Sequence, residues 1–221
     1  PFFMEGMGTF QLAGAPGDSV MRTAVHTRRI VDPSWGGKAT GSLGRFTFAT
    51  LAASDTAPAR DPEAEPAVAG RNALFLIGRG TWSLGASSYV GAIATDRELA
   101  SGHNRVGGAD FTLARGSHVW SGTFLGSQSR TPDGRERTSG LAGQLYYVYD
   151  TKRWAFVSQA EHYDRDFRMD TAFLNQTGIT SNWSWVQLSL YPDDKKHAWF
   201  KRFSPFVFTR VARDRIQGGD V

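Results

Sequence analysis

The sequence predicts an all-β fold: an antiparallel up-and-down meander forming part of a transmembrane β-barrel. Three observations carry this. Strand-like segments recur along the chain, while no window of about 11 residues holds a capped i, i+3, i+4, i+7 apolar pattern. The segments are long, most of them about ten residues against a usual five or six. Short and long connections alternate, as in a meander whose tight turns share one rim and whose loops share the other. Ten residues at ~3.3 Å, tilted by about 40°, cover roughly 25 Å, the height of an outer-membrane barrel's apolar band.

About eleven strands follow in order: residues 20–30, 37–43, 45–53, 71–80, 87–97, 104–114, 118–128, 139–149, 153–163, 181–191 and 203–213. The first two are separated by residues 31–36, a longer piece. Leu43, Gly44 and Arg45 make the first short turn. Residues 54–70, with Pro58, Pro62 and Pro66 among Asp61, Glu63 and Glu65, read as a mobile acidic surface loop. Short turns then fall at residues 82–86, 115–117, 150–152 and 192–194, and long loops at 98–103, 129–138 and 164–180. Three segments show their faces. Phe111 and Leu113 oppose Asp110 and Thr112; Leu141, Leu145, Tyr147 and Tyr149 oppose Ala142, Gln144 and Tyr146; Val186, Leu188 and Leu190 oppose Gln187 and Ser189. The alternation blurs at residues 73–77 and 154–157. Trp82, Tyr89, Trp120, Tyr149, Trp154, Tyr163, Trp183, Tyr191 and Trp199 sit towards strand ends, as interfacial girdles require.

Composition narrows the class further. The chain has 221 residues, a formal charge of +4, 25 glycines and no cysteine. Without cysteine there is no disulfide scaffold, thiolate metal site or thiol nucleophile. The basic residues are mostly Arg and scattered, so nucleic acid is not an expected partner. No apolar run approaches the roughly 18 residues of a spanning helix. The chain opens at Pro1 and stops at Val221 just past a strand-like run, so residues 1–221 read as a fragment of one barrel domain.

Motifs for catalysis are weak. Gly78, Arg79 and Gly80 resemble the start of a phosphate loop, but no helix follows and a strand explains them. No Gly-x-Ser-x-Gly elbow exists. His26, His103, His118, His162 and His197 are too dispersed for a helical zinc motif. Glu161, His162, Asp164, Asp166 and Asp170 form a charged cluster that suits either a cation or a solvated rim, and the rim is the preferred reading. Asn175 and Asn182 open sequons that carry no weight in a bacterial protein. Glycoside hydrolysis needs two carboxylates about 5–10 Å apart; Asp110 with Glu161, on different strands, is the sort of pair that could meet inside a lumen, and Asp164 is a further candidate.

Several stretches together resemble a known family. They are residues 1–6 (PFFMEG), 27–30 (TRRI), 36–44 (GGKATGSLG), 89–98 (YVGAIATDRE), 104–110 (NRVGGAD) and 173–178 (FLNQTG). Taken in order, they resemble the bacterial outer-membrane barrel domain of unknown function 5916. In that family the barrel usually follows a domain similar to carbohydrate-binding family 9, which is absent from these residues. The resemblance implies the barrel fold, a bacterial outer-membrane location and a link to glycan handling; it transfers no reaction. Gln176 stands where the family pattern leads to an Arg.

The expectation is therefore an outer-membrane barrel acting as channel, transporter or surface scaffold, with membrane lipid and a glycan or small solute as partners. A carbohydrate-active hydrolase, or its accessory domain, using lumenal carboxylates is the alternative. Lumen-lining candidates are Arg28, Arg29, Asp110, Thr112, Gln144, Glu161 and Gln187, and His162, Asp164 and Asp166 form an outer-loop charged cluster. No cofactor, metal or catalytic residue is assigned. An odd strand count predicts an open sheet, with its edges near residues 21–30 and 203–213.

Overall fold

The computed structural model describes residues 7–14, 19–60, 66–192, 201–216 and 218–220. Its strands, in chain order, are β1 (Met21–Thr23), β2 (Pro33–Leu43), β3 (Phe46–Asp55), β4 (Ala73–Gly85), β5 (Ser88–Leu99), β6 (Gly102–Arg115) and β7 (His118–Arg130). There follow β8 (Arg137–Asp150), β9 (Trp154–Tyr163), β10 (Phe173–Leu174), β11 (Ile179–Leu188), β12 (Phe206–Asp214) and β13 (Gly219–Asp220). Eleven of these, all but β1 and β10, form one antiparallel sheet in meander order from β2 to β13. The fold is all-β.

Two-residue turns join β2 to β3, β4 to β5 and β6 to β7. Gly44 and Gly116 adopt φ of 61° and 60° there, which a β-carbon would resist and tight hairpins demand. At the opposite rim, only Ala100 and Ser101 join β5 to β6, where a longer loop is predicted; Ala100 takes a φ of 56° to close the turn. Another exception lies on the tight-turn rim. There β11 and β12 are joined by residues 189–205, with a bridge from Leu190 to Phe203. The short turn expected at residues 192–194 lies outside the described residues from 193 onward, as do Trp199, Asp61, Glu63, Glu65 and residues 1–6.

The strand expected over residues 20–30 does not form. Only Met21–Thr23 is strand; it pairs with β10, apart from the main sheet, and Thr27–Arg29 makes a 3-10 turn. The physical reason is burial without alternation. Met21, Ala24, Val25 and Ile30 are buried while Arg28 and Arg29 are exposed, so burial here does not follow a strand's period of two. The segment lies against the inner face of the sheet with Phe10 and Leu12, and its buried residues share one hydrophobic cluster with these two and with Leu51, Phe75, Ile77 and Val106. The open edge at the chain's beginning is therefore β2, and the other is β12 with its short neighbour β13. The two edges do not pair, so the sheet is open.

The predicted outer loop at residues 164–180 also turns inward. Phe167, Met169, Thr171 and Ala172 are buried. Gly140 on β8 permits this approach, since a β-carbon there would collide with the backbone of Phe167.

Candidate functional site

The candidate site is the inner face of the sheet. Register places Asp110, Thr123, Gln144 and Glu161 in one inward row across β6 to β9. All four are buried. The sequence alternation thus reads these faces correctly. Polar side chains on an enclosed face need partners, because an unpaired buried polar group costs about 1–3 kcal/mol.

Arg79 on β4 supplies the first partner. Its guanidinium meets Asp110 in a two-bond fork, Nη1 to Oδ1 at 2.6 Å and Nη2 to Oδ2 at 2.7 Å. Tyr89 donates its hydroxyl to Asp110 Oδ2 at 3.2 Å, and the Ala13 amide donates to the same oxygen at 3.0 Å. Thr123 donates its hydroxyl to the Ala13 carbonyl at 2.6 Å. Farther along the row, Gln144 Nε2 and the Val20 amide both donate to Glu161 Oε1, at 2.8 and 3.1 Å. Gln159 Nε2 donates to the Ser19 hydroxyl at 3.1 Å. The inner segment is thus tied to the wall near Ala13 and again near Ser19 and Val20.

Of the other lumen candidates, Thr112 faces inward and exchanges a hydrogen bond with Ser121 at 3.0 Å. Gln187 also faces inward but lies at the tight-turn rim, opposite Ala155, where it bonds Ser189 at 3.2 Å. Arg28 and Arg29 are not wall residues: both sit on the 3-10 turn of the inner segment and are exposed. Arg29 Nε donates to the Ala172 carbonyl at 3.2 Å.

The outer-loop cluster divides. His162 belongs to strand β9, facing outward, with Nε2 at 3.2 Å from Asp164 Oδ1. The Leu141 amide donates to Asp164 Oδ2 at 2.8 Å, and this bond, helped by His162, holds the carboxyl below its ordinary pKa. Asp166 instead lines a separate cleft with Arg29, Arg97, Arg165 and Arg168.

Asp110 and Glu161 stand on the same inward row, on β6 and β9. Three inter-strand steps of roughly 4.8 Å separate them along the sheet, about 14 Å in all, and each carboxylate is engaged by the chain itself. Among the described residues no cluster of three or more His, Asp or Glu has metal-binding geometry.

Three aromatics expected in a girdle turn inward as well: Tyr89 to Asp110, Tyr163 to Gln144, and Trp183, whose Nε1 donates to Gln159 Oε1 at 3.1 Å. Others do line the outer face at the tight-turn rim. The rings of His118, Trp120, Tyr147 and Phe156 follow one another at centroid spacings of 5.3, 5.5 and 5.7 Å.

Sequence reasoning missed Arg79 and Asp55. Arg79 shares a face with Phe75 and Ile77, and that parity was the available signal. Asp55, at the end of β3, accepts the Val31, Asp32 and Ala57 amides at 3.0, 2.8 and 3.0 Å, fixing where the inner segment passes into β2. Comparison with family models, curated proteins and solved structures yields no match.

Proposed function

We propose that this chain is wall and filling of a bacterial outer-membrane β-barrel, a surface scaffold or gated channel rather than a permanently open pore. One observation carries the reading. On β6, outward Arg105 and Arg115 bracket Gly107, Ala109, Phe111 and Leu113, with polar groups on the inner face between them. Ten residues at ~3.3 Å and a tilt of about 40° put the two arginines roughly 25 Å apart along the membrane normal, one at each edge of an apolar band. Neighbouring strands supply Trp82, Phe124, Leu141 and Leu145 to the same face, all exposed. Exposed apolar surface on this scale is costly in water and favourable in lipid.

The filled interior supports the gated or scaffold role. Residues 10–14, 19–30 and 165–172 lie along the inner face, where they would stand in the path of a solute. The link to glycan handling rests on the family resemblance alone. Fractionation of cells making the full-length protein tests the proposal. The protein should sediment with the outer membrane and need detergent for release; recovery in the aqueous fraction would overturn it.

A further inference from the structure

Residues 166–171 alternate in burial, and Arg165 before them is exposed. Phe167, Met169 and Thr171 point into the core, while Arg165 and Arg168 are exposed and Asp170 half-buried. The apolar members anchor the stretch, and the charged members then face a cleft of about 620 Å³ at the loop rim. Arg29 from the inner segment and Arg97 from β5 reach the same cleft, with Asp166 as its second acid.

The charges are organised rather than scattered. Asp170, only 11% exposed, receives Arg97 Nη1 at 3.0 Å and Arg168 Nε at 2.6 Å, so one carboxylate holds two guanidinium groups. Its own amide donates to Asn104 Oδ1 at 2.7 Å, which fixes the acid to β6. Arg97 also lies over the Phe75 ring, 5.7 Å from its centroid. Arg29 is steadied by the Ala172 carbonyl. Among the described residues neither Arg29 nor Arg165 forms an ion pair. Four arginines against two aspartates leave a formal excess of two positive charges.

We infer that this cleft binds a small soluble molecule bearing two oxyanion charges, a dicarboxylate or a phosphate monoester. Its volume lies in the range of small-molecule sites. Guanidinium forks match carboxylate and phosphate oxygens two bonds at a time, and they do so best where other contacts have already oriented them. Thr138 and Thr177, also in the lining, add hydroxyls suited to a polar ligand body. The inference does not depend on the membrane proposal, because the cleft is at the rim and its binding is measured in solution.

Calorimetry on the full chain in uncharged detergent, with succinate, glucose 1-phosphate and glucose as probes, tests it. At least one dianion should bind, more weakly as salt rises, and glucose should not. Arg29→Gln with Arg165→Gln should weaken binding roughly tenfold or more, since each removes a charge-assisted bond. The matching Lys pair should recover only part of it, because it restores the charge without the fork. Arg115→Gln, on the opposite rim, should change nothing. No binding by either dianion, equal binding of glucose, or equal loss in Arg115→Gln would overturn the inference. So would binding confined to vesicles of anionic phospholipid.

Discussion

Arg79 and Asp110 stand on strands two apart, β4 and β6, and meet across the glycine of the strand between them. A β-carbon on Gly91 would come to 2.6 Å from Asp110 Oδ1 and 3.3 Å from Arg79 Nη2. The side chains are 2% and 0% exposed. One missing side chain on β5 thus makes room for an ion pair that also receives the inner segment through Ala13.

Breaking this pair from one side strands a buried charge. Asp110→Ala should lower stability by about 3–5 kcal/mol in a reversible unfolding assay in micelles. The double change Arg79→Met with Asp110→Leu should cost clearly less than the single one, because no lone charge remains. Equal losses would show that the pair is not what the site depends on.

Leu145, on the outer face, is 49% exposed. Leu145→Arg should cost roughly 2–4 kcal/mol in a lipid folding assay if that face meets the middle of a bilayer. A face bathed in water would tolerate the change within about ±0.5 kcal/mol. Gln144 is no mild control, contrary to the expectation for a lumen residue, since it is buried with bonds to Glu161 and Tyr163.

The inner segment should loosen where its tether is cut. Thr123→Val keeps the side chain's shape but removes the donor to the Ala13 carbonyl, a loss of about 1 kcal/mol. Hydrogen exchange should quicken at the Ala13 amide and stay unchanged at Val20, which Glu161 holds independently. Unchanged exchange at Ala13 would mean that the Asp110 bond alone holds this end of the segment.

Asp164 gives a pH dependence of known sign. Its carboxyl is held below the ordinary 3.8, chiefly by the Leu141 amide. A depressed native pKa stabilises above the unfolded value and is lost as pH falls through the native one. The Leu141 amide should therefore lose protection only below about pH 3.8, where intrinsic exchange is slow enough to resolve it. In Asp164→Asn that acid transition should be absent.

Protease added to intact cells should separate the two kinds of connection. Residues 66–72 lie at the loop rim and should be cut, while Thr151 at the other rim is spared. Residues 165–172, expected from sequence to belong to a long outer loop, should resist because Phe167 and Met169 are buried. Cutting at Thr151 would contradict the shared orientation of the rims.

The sequence by itself determined the wall. Alternation at Asp110 against Phe111, and at Gln144 against Leu145, set the faces, because a strand's period of two leaves side chains no other choice. Turn glycines such as Gly116 set the hairpins through their backbone freedom. Only the tertiary structure decided what fills the interior. Residues 20–30 carry strand-like composition, yet Met21, Ala24, Val25 and Ile30 are buried while Arg28 and Arg29 are exposed on a 3-10 turn, so no period of two runs through them. The partnership of Arg79 with Asp110, and of Asp170 with Arg97, joins positions 31 and 73 residues apart. Such spacings have no local signature. They follow from how strands curve around a shared interior, where charges leave water only when another charge is within reach.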